Sequence, residues 1–266
     1  MDRYAVIGNP IEHSKSPQIH AAFARQTGQD IDYGRILAPL GGFHDAVDQF
    51  RREGGRGLNV TVPFKEDAYA CANQLTQRAQ LAGAVNTLNF LPDGTVFGDT
   101  TDGAGLVRDI TANLGVVLRG KRILLMGAGG AARGVIQPLL DEQPDALVVA
   151  NRSVGKALAL REPFPQIQAG GYAELAGRSF DIVINATASS LNNDLPPLPT
   201  GIFAPGALAY DMMYGRETPF MQFAREQGAV LVADGLGMLV EQAAETFFIW
   251  RGVRPQTAPV IAQLRG

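Results

Sequence analysis

The sequence predicts an α/β fold in two domains, and three observations carry that expectation. Apolar, strand-like runs alternate with helical patterns; a glycine-rich turn follows one such run and opens a helix near the middle; and the alternation resumes beyond it. The 266 residues allow one large or two ordinary domains, and 46% hydrophobic with 18% charged residues suits a globular core. A net charge of −3 offers no basic surplus, which argues against nucleic acid as a partner. No apolar run approaches the length of a spanning helix, and Met1-Asp2-Arg3-Tyr4 enters a strand pattern without a signal-peptide core. No membrane partner and a cytoplasmic location are therefore expected. The single cysteine, Cys71, leaves no internal disulfide and no metal cluster, and His13, His20 and His44 lack metal-ligand spacing, so no metal is expected.

Residues 5–8 (AVIG) read as the first strand. Ser16-Pro17 then reads as an N-cap and first helical position, where proline is tolerated because that amide has no helical partner. Ile31, Tyr33, Arg35 and Leu37 mark a second strand, residues 43–53 a helix, residues 58–62 a strand, and Asp93-Gly94 the turn of a hairpin. The apolar run 123–126 reads as a buried parallel strand, followed by a helix in which Pro138 brings a kink or a missing hydrogen bond, and then by a strand at 146–150. Strands at 181–185, 208–211 and 230–232 complete the pattern of a doubly wound sheet. Residues 238–251 read as a helix with Met238, Leu239, Gln242 and Thr246 on a shared face, and Trp250 as a packing residue.

The segment after the 123–126 strand is GAGGAA. In a dinucleotide-binding turn Gly127 would make the tight bend, Gly129 would let backbone approach a pyrophosphate, and Ala132 would permit close helix packing, with the helix N-terminus facing the phosphates. About 20 residues on, where an NAD-binding chain places an acid, stand Asn151, Arg152 and Ser153. None repels a 2′-phosphate, and the guanidinium fork of Arg152 suits one, so NADP is expected over NAD.

Three polar clusters lie outside that turn. Ser14-Lys15-Ser16-Pro17 places two hydroxyls at a helix start, where they can cap the helix or bind an anion. NVTVPFK alternates so that Asn59 and Thr61 share a strand face, with Lys65 just past the end, either as a surface lysine or as a ligand. Gly98-Asp99-Thr100-Thr101-Asp102-Gly103 is turn-rich, and Asp102 either caps the following helix or serves chemistry; spacing alone does not bring it to Lys65.

The opening GNPIEHSKSP, then NVTVPFK, AGAVNT, TDG, GAGGAARG, NRS and the late DGLGMLVEQAA occur together and in the order of the shikimate dehydrogenase family. The chain resembles that family essentially end to end, most nearly its NADP-dependent biosynthetic members. The resemblance implies reversible, NADPH-dependent reduction of 3-dehydroshikimate to shikimate, in the pathway to chorismate and the aromatic amino acids. It implies an N-terminal α/β substrate domain, residues 1–101 with 238–266 folding back onto it, and a Rossmann-like NADP-binding domain, residues 102–237, with the active site in the cleft between them. By motif, Lys65 and Asp102 look like the catalytic pair. Ser14, Ser16, Asn59, Thr61, Asn86, Tyr214 and Gln242, with Lys65 and Asp102, resemble the substrate-binding set. Gly127, Ala128, Gly129, Gly130, Ala131, Asn151, Arg152, Ser153 and Lys156 resemble the cofactor set, with Thr187, Met212, Gly235 and Met238 around the nicotinamide.

The sequence departs from the family pattern at Thr100, where the family usually has Asn, at Ala188 and Ser190, where it has Ser and Gly, and at Ser153, where Thr is common. A quinate/shikimate dehydrogenase using NAD and a non-catalytic dinucleotide-binding sensor stay open as alternatives. Monomer and homodimer are both left open.

Overall fold

The computed structural model describes residues 1–187, 189 and 194–266. Two compact units account for them: Met1–Gly105 with Leu239–Gly266, and Leu106–Met238.

The first unit is built on a six-stranded sheet of β1 (Asp2–Gly8), β2 (Ile31–Leu37), β3 (Gly55–Val60), β4 (Gln74–Leu75), β5 (Thr87–Phe90) and β6 (Val96–Asp99), in the order β2-β1-β3-β5-β6-β4. β1 runs parallel to β2 and β3, whereas β5 is antiparallel to β3 and to its hairpin partner β6. Helices α1 (Ser16–Thr27), α2 (Phe43–Arg52), α3 (Lys65–Cys71) and α4 (Gln77–Ala82) connect the strands, and α5 (Asp102–Arg108) follows β6.

One cluster of buried side chains, including Ile7, Val47, Phe50, Leu58, Phe64 and Leu88, packs against α2 and α3. A separate cluster joins Ile19 and Phe23 of α1 to Val240, Ala244 and Phe247 of the late helix and to Val260 of the last. Phe23 and Phe247 are fully buried, and truncating either to Ala costs about 3–5 kcal/mol on general grounds. That contact is why residues 239–266 belong to the unit formed by residues 1–105. Trp250 stacks on Tyr4 at 4.4 Å and donates to the Leu88 carbonyl at 3.0 Å. A Cβ on Gly57 would lie 2.6 Å from its indole nitrogen, so only glycine fits beneath it.

Two local expectations are corrected. Ser16 is not the N-cap: α1 begins at Ser16, Lys15 holds the cap position without a side-chain bond, and Ser14 Oγ accepts from the Ser16 amide at 3.3 Å. Strand β3 stops at Val60 and not Val62, because the Phe64 amide donates to the Thr61 carbonyl at 3.0 Å and turns the chain.

The second unit holds β7 (Arg122–Met126), β8 (Ala146–Ala150), β9 (Gln168–Gly170), β10 (Phe180–Asn185), β11 (Phe203–Asp211) and β12 (Leu231–Asp234) in an all-parallel sheet ordered β12-β11-β10-β7-β8-β9. Read from the β9 edge, the unit's strands run third, second, first, fourth, fifth, sixth, the order of dinucleotide-binding sheets, and the order reverses between β7 and β10. α6 (Gly130–Asp141), α7 (Val154–Ala159) and α8 (Pro219–Glu226) connect these strands, and α6 continues through Pro138 to Asp141. Leu124, Met126, Val148, Val183, Ala209 and Phe220 fill the core. The chain then enters α9 (Leu236–Arg251) and α10 (Ala258–Arg265). Among the described residues no helix is long and apolar enough to cross a membrane, and no cluster of His, Cys, Asp or Glu could hold a metal ion.

Candidate active site

In the first unit, residues from six elements meet in one polar cluster. Lys65 is the first residue of α3 and Asp102 the first of α5, and the Lys65 ammonium donates to Asp102 Oδ2. Asn86 Nδ2 donates to the other oxygen of that carboxylate at 2.8 Å. Asp102 is therefore a paired acceptor and not a helix cap alone.

One assignment of protons satisfies the remaining bonds together. Asn86 Oδ1 accepts from the Thr101 amide at 2.9 Å and from Thr87 Oγ1 at 3.0 Å, which fills it. Thr87 has then spent its proton, so at 2.8 Å it accepts from Thr246. Thr246 in turn accepts from Thr101 at 3.2 Å and from Asn59 Nδ2 at 3.3 Å. Thr101 accepts from Asn86 Nδ2 at 3.0 Å. The second Nδ2 proton of Asn59 goes to the Asn86 carbonyl at 3.3 Å, and Asn59 Oδ1 accepts from the Tyr33 hydroxyl at 2.7 Å. Gln242 on α9 anchors its amide on the Leu239 carbonyl at 2.8 Å, with Oε1 3.4 Å from both Thr101 Oγ1 and Asn86 Nδ2. Thr87, Thr101 and Thr246 are fully buried, so a satisfied network here is rigid as well as polar.

The loop that carries Asp102 is braced from below. Asp99, almost fully buried, accepts from Arg78 at 2.7 and 2.6 Å, from Thr76 Oγ1 at 2.6 Å and from the Thr100 amide at 2.7 Å. Ser14 Oγ and Ser16 Oγ lie 3.2 Å apart at the start of α1, and Arg35 donates to the Ser14 carbonyl at 2.6 Å. Thr61, two residues past Asn59, is partly buried, its methyl 2.5 Å from where a Cβ on Gly8 would lie.

In the second unit the glycine turn sits at the end of β7, where the strand order reverses. Gly127 has φ +115°, and a Cβ there would lie 3.0 Å from the Ala186 carbonyl oxygen. Nothing stands within 4 Å of a Cβ built on Gly129 or Gly130. Gly129 caps α6 without a side-chain bond, and no acid lies in the first turn. The amides of Gly130, Ala131 and Ala132 thus begin a helix whose N-terminal charge no side chain answers, beside Ala128. That arrangement fits a pyrophosphate.

At the end of β8, Asn151 Nδ2 donates to the Ser153 carbonyl at 3.0 Å, and Arg152 and Lys156 project as exposed cations. The adjacent Tyr172 phenol is pushed up to about 12 by burial, against the opposing charge of Arg152. No carboxylate occupies the 151–153 stretch, so it fits a 2′-phosphate. At the ends of β10, β11 and β12, Thr187 donates to Asn185 Oδ1 at 2.7 Å, the Met212 amide to the Asn185 carbonyl at 3.0 Å, and a Cβ on Gly235 would lie 2.3 Å from the Met212 carbonyl oxygen. Met238 is buried, and Tyr214 is partly buried, its phenol pushed up by burial. Ala188 and Ser190 lie outside the described residues.

Family models match most of the chain. A shikimate dehydrogenase substrate-binding domain matches residues 6–88, a shikimate/quinate 5-dehydrogenase domain residues 109–193, and a shikimate 5′-dehydrogenase C-terminal domain residues 235–265. The NADP-dependent shikimate dehydrogenase of Methylobacillus flagellatus is 62% identical over 269 residues, spanning 100% of this chain and 99% of its own. The chain belongs to the shikimate dehydrogenase family. Among solved members of that family, the Thermus thermophilus shikimate 5-dehydrogenase, crystallised with NADP(H) and shikimate, superposes with a TM-score of 0.89 at 33% identity, covering 100% of this chain and 99% of that one. An enzyme from Pseudomonas putida superposes with a TM-score of 0.94 at 53% identity, with coverage of 99% and 98%.

Tyr33, Thr87, Thr101 and Thr246 had no role assigned from sequence. Only the helical spacing of Thr246 from Gln242 hinted at a shared face.

Proposed function

We propose that this chain reversibly reduces 3-dehydroshikimate to shikimate with NADPH, an oxidoreductase step of aromatic amino acid biosynthesis, with Lys65 and Asp102 as its catalytic pair. The observation that carries the residue assignment is the Lys65 ammonium held on Asp102 inside a cluster of neutral donors and acceptors. Bound NADPH supplies the hydride. As negative charge grows on the ketone oxygen, the Lys65 ammonium stabilises it and gives up a proton, while Asp102 keeps that ammonium oriented. In the oxidation direction Lys65 takes the proton back.

Ser14 and Ser16 are assigned to the substrate carboxylate, and Asn59, Thr61, Asn86, Tyr214 and Gln242 to its hydroxyls and ring. Neutral amides and alcohols suit a small polyol, because each can donate or accept without burying a further charge. The first unit is assigned to substrate and the second to cofactor, with the glycine turn at 127–131 on the pyrophosphate, Asn151, Arg152, Ser153 and Lys156 on the 2′-phosphate, and Thr187, Met212, Gly235 and Met238 near the nicotinamide. The reaction is placed in the cytoplasm.

Initial rates with shikimate or quinate, each with NADP or NAD, test the whole reading. Turnover confined to shikimate with NADP is expected. Preference for quinate or for NAD would replace the substrate or cofactor assignment, and silence in all four combinations would leave a binding protein.

A further inference from the structure

Tyr33, on β2, stands at the open end of the hydrogen-bond chain. Asn59 Oδ1 can only accept, so the 2.7 Å contact consumes the phenol's single proton. The Nδ2 edge of Asn59 is committed to the Asn86 carbonyl and to Thr246. One orientation of the carboxamide satisfies all three partners, and its unfilled valence is the second lone pair of Oδ1. The phenol oxygen is then left with lone pairs alone to offer any further neighbour.

The Tyr33 ring is clamped in place. It lies parallel to the His20 imidazole, with centroids 4.2 Å apart and planes 6° from each other, and 6.2 Å from Trp250. His20 is fully buried and neither ring nitrogen has a hydrogen-bond partner, so it contributes a flat face rather than a polar contact. Burial also pushes the Tyr33 phenol well above its ordinary value, which keeps the donated proton in place.

We propose that Tyr33 is a positioning residue that acts through Asn59, holding the Asn59 carboxamide so that an oxygen lone pair, not an N–H, faces a hydroxyl of the bound substrate. The proposal rests on Asn59 being a substrate ligand. It makes the pocket a reader of a hydroxyl proton at that point, since a group unable to donate would meet an unpaired acceptor.

Steady-state oxidation of shikimate by NADP, run with the unaltered chain, Tyr33→Phe, Asn59→Ala and the double variant, tests this. Tyr33→Phe keeps the ring on His20 and removes only the hydroxyl. It should raise the KM for shikimate roughly five- to tenfold, the effect of one lost hydrogen bond, with the KM for NADP and the melting temperature unchanged. Added to Asn59→Ala, it should change the shikimate KM less than about twofold, because its partner is gone. An unaltered shikimate KM in Tyr33→Phe overturns the proposal, as do parallel rises in both KM values with a fall in melting temperature. If the unaltered chain is silent toward shikimate, the substrate reading itself fails and takes the proposal with it, so the first enzyme assayed separates the two failures.

Discussion

Asn86 and Asp102 are joined by a 2.8 Å hydrogen bond that occupies one carboxylate oxygen and leaves the other to Lys65. Each oxygen of Asp102 therefore faces a donor that has no acceptor capacity. Asp102→Asn keeps the shape but turns an NH2 toward either Asn86 Nδ2 or Lys65, a donor-to-donor clash in a largely buried site. Steady-state assays should show kcat lowered at least about tenfold, and thermal unfolding a lowered melting temperature, because the clash and the unpaired Lys65 ammonium both cost stability. Full activity in this variant would remove Asp102 from the mechanism.

Lys65→Ala removes the proposed proton donor. An expected loss of about 10² or more in kcat, with a smaller effect on KM, follows from the usual worth of general acid catalysis. An unchanged kcat would sink that assignment.

Arg152 is exposed at the end of β8 with no acid in the adjacent stretch. Arg152→Ala should raise the KM for NADP about tenfold, the range of a lost charge-assisted contact at an exposed site, and hardly touch NAD. Equal losses for the two cofactors would contradict a 2′-phosphate role.

Gly127→Ala should destabilise the second unit by about 1–3 kcal/mol, because φ +115° is strained for any side chain and the new Cβ would meet the Ala186 carbonyl at 3.0 Å. Thermal unfolding with and without saturating NADP measures this, and the variant should also lose most of the stabilisation that NADP gives. A melting temperature equal to that of the unaltered chain would show that the turn relaxes freely.

Burial pushes the His20 imidazole from 6.5 down to about 3. Between those values the unfolded chain binds a proton that the folded chain refuses, so stability is intact above about pH 6.5 and falls as pH drops toward 3. The contribution is about 1.4 kcal/mol per pH unit inside that window. His20→Phe should flatten the stability curve by about one proton between pH 6 and 4. Trp250, the only tryptophan and 5.4 Å from His20, reports the transition by fluorescence. Identical slopes in the two proteins would show that His20 is not the titrating group.

The second unit was the more legible part of the chain. β7 and β8 are short, largely apolar runs and most of the sheet could be read strand by strand, although the three-residue β9 was not, and GAGGAA announced the turn at the end of β7. Lys65 was legible only as a lysine just past a strand end; that it opens α3, where a cation opposes the helix dipole, emerged from the structure. Its meeting with Asp102 could not be read from spacing, because it depends on two separate turns converging in space. The threonine hub was hidden for another reason. Thr87 looks like any β-branched strand residue and Thr246 like a filler on a helix, and only their three-dimensional proximity reveals that their hydroxyls bond each other. Ser16 was misread as a cap because Ser14, two residues earlier, takes up the amide instead.

The first unit is assembled from both ends of the chain, whereas the second is one continuous stretch. During synthesis the bulk of residues 106–238 leaves the ribosome before Gln242 and Thr246 do. Until then the Asn59 amide and the Thr87 and Thr101 hydroxyls lack the partner that ties them together, and Ile19 and Phe23 lack the apolar face that covers them. A chain cut short before Leu239 would keep every residue of the unit that carries the glycine turn and lose the helix that completes the polar cluster of the other.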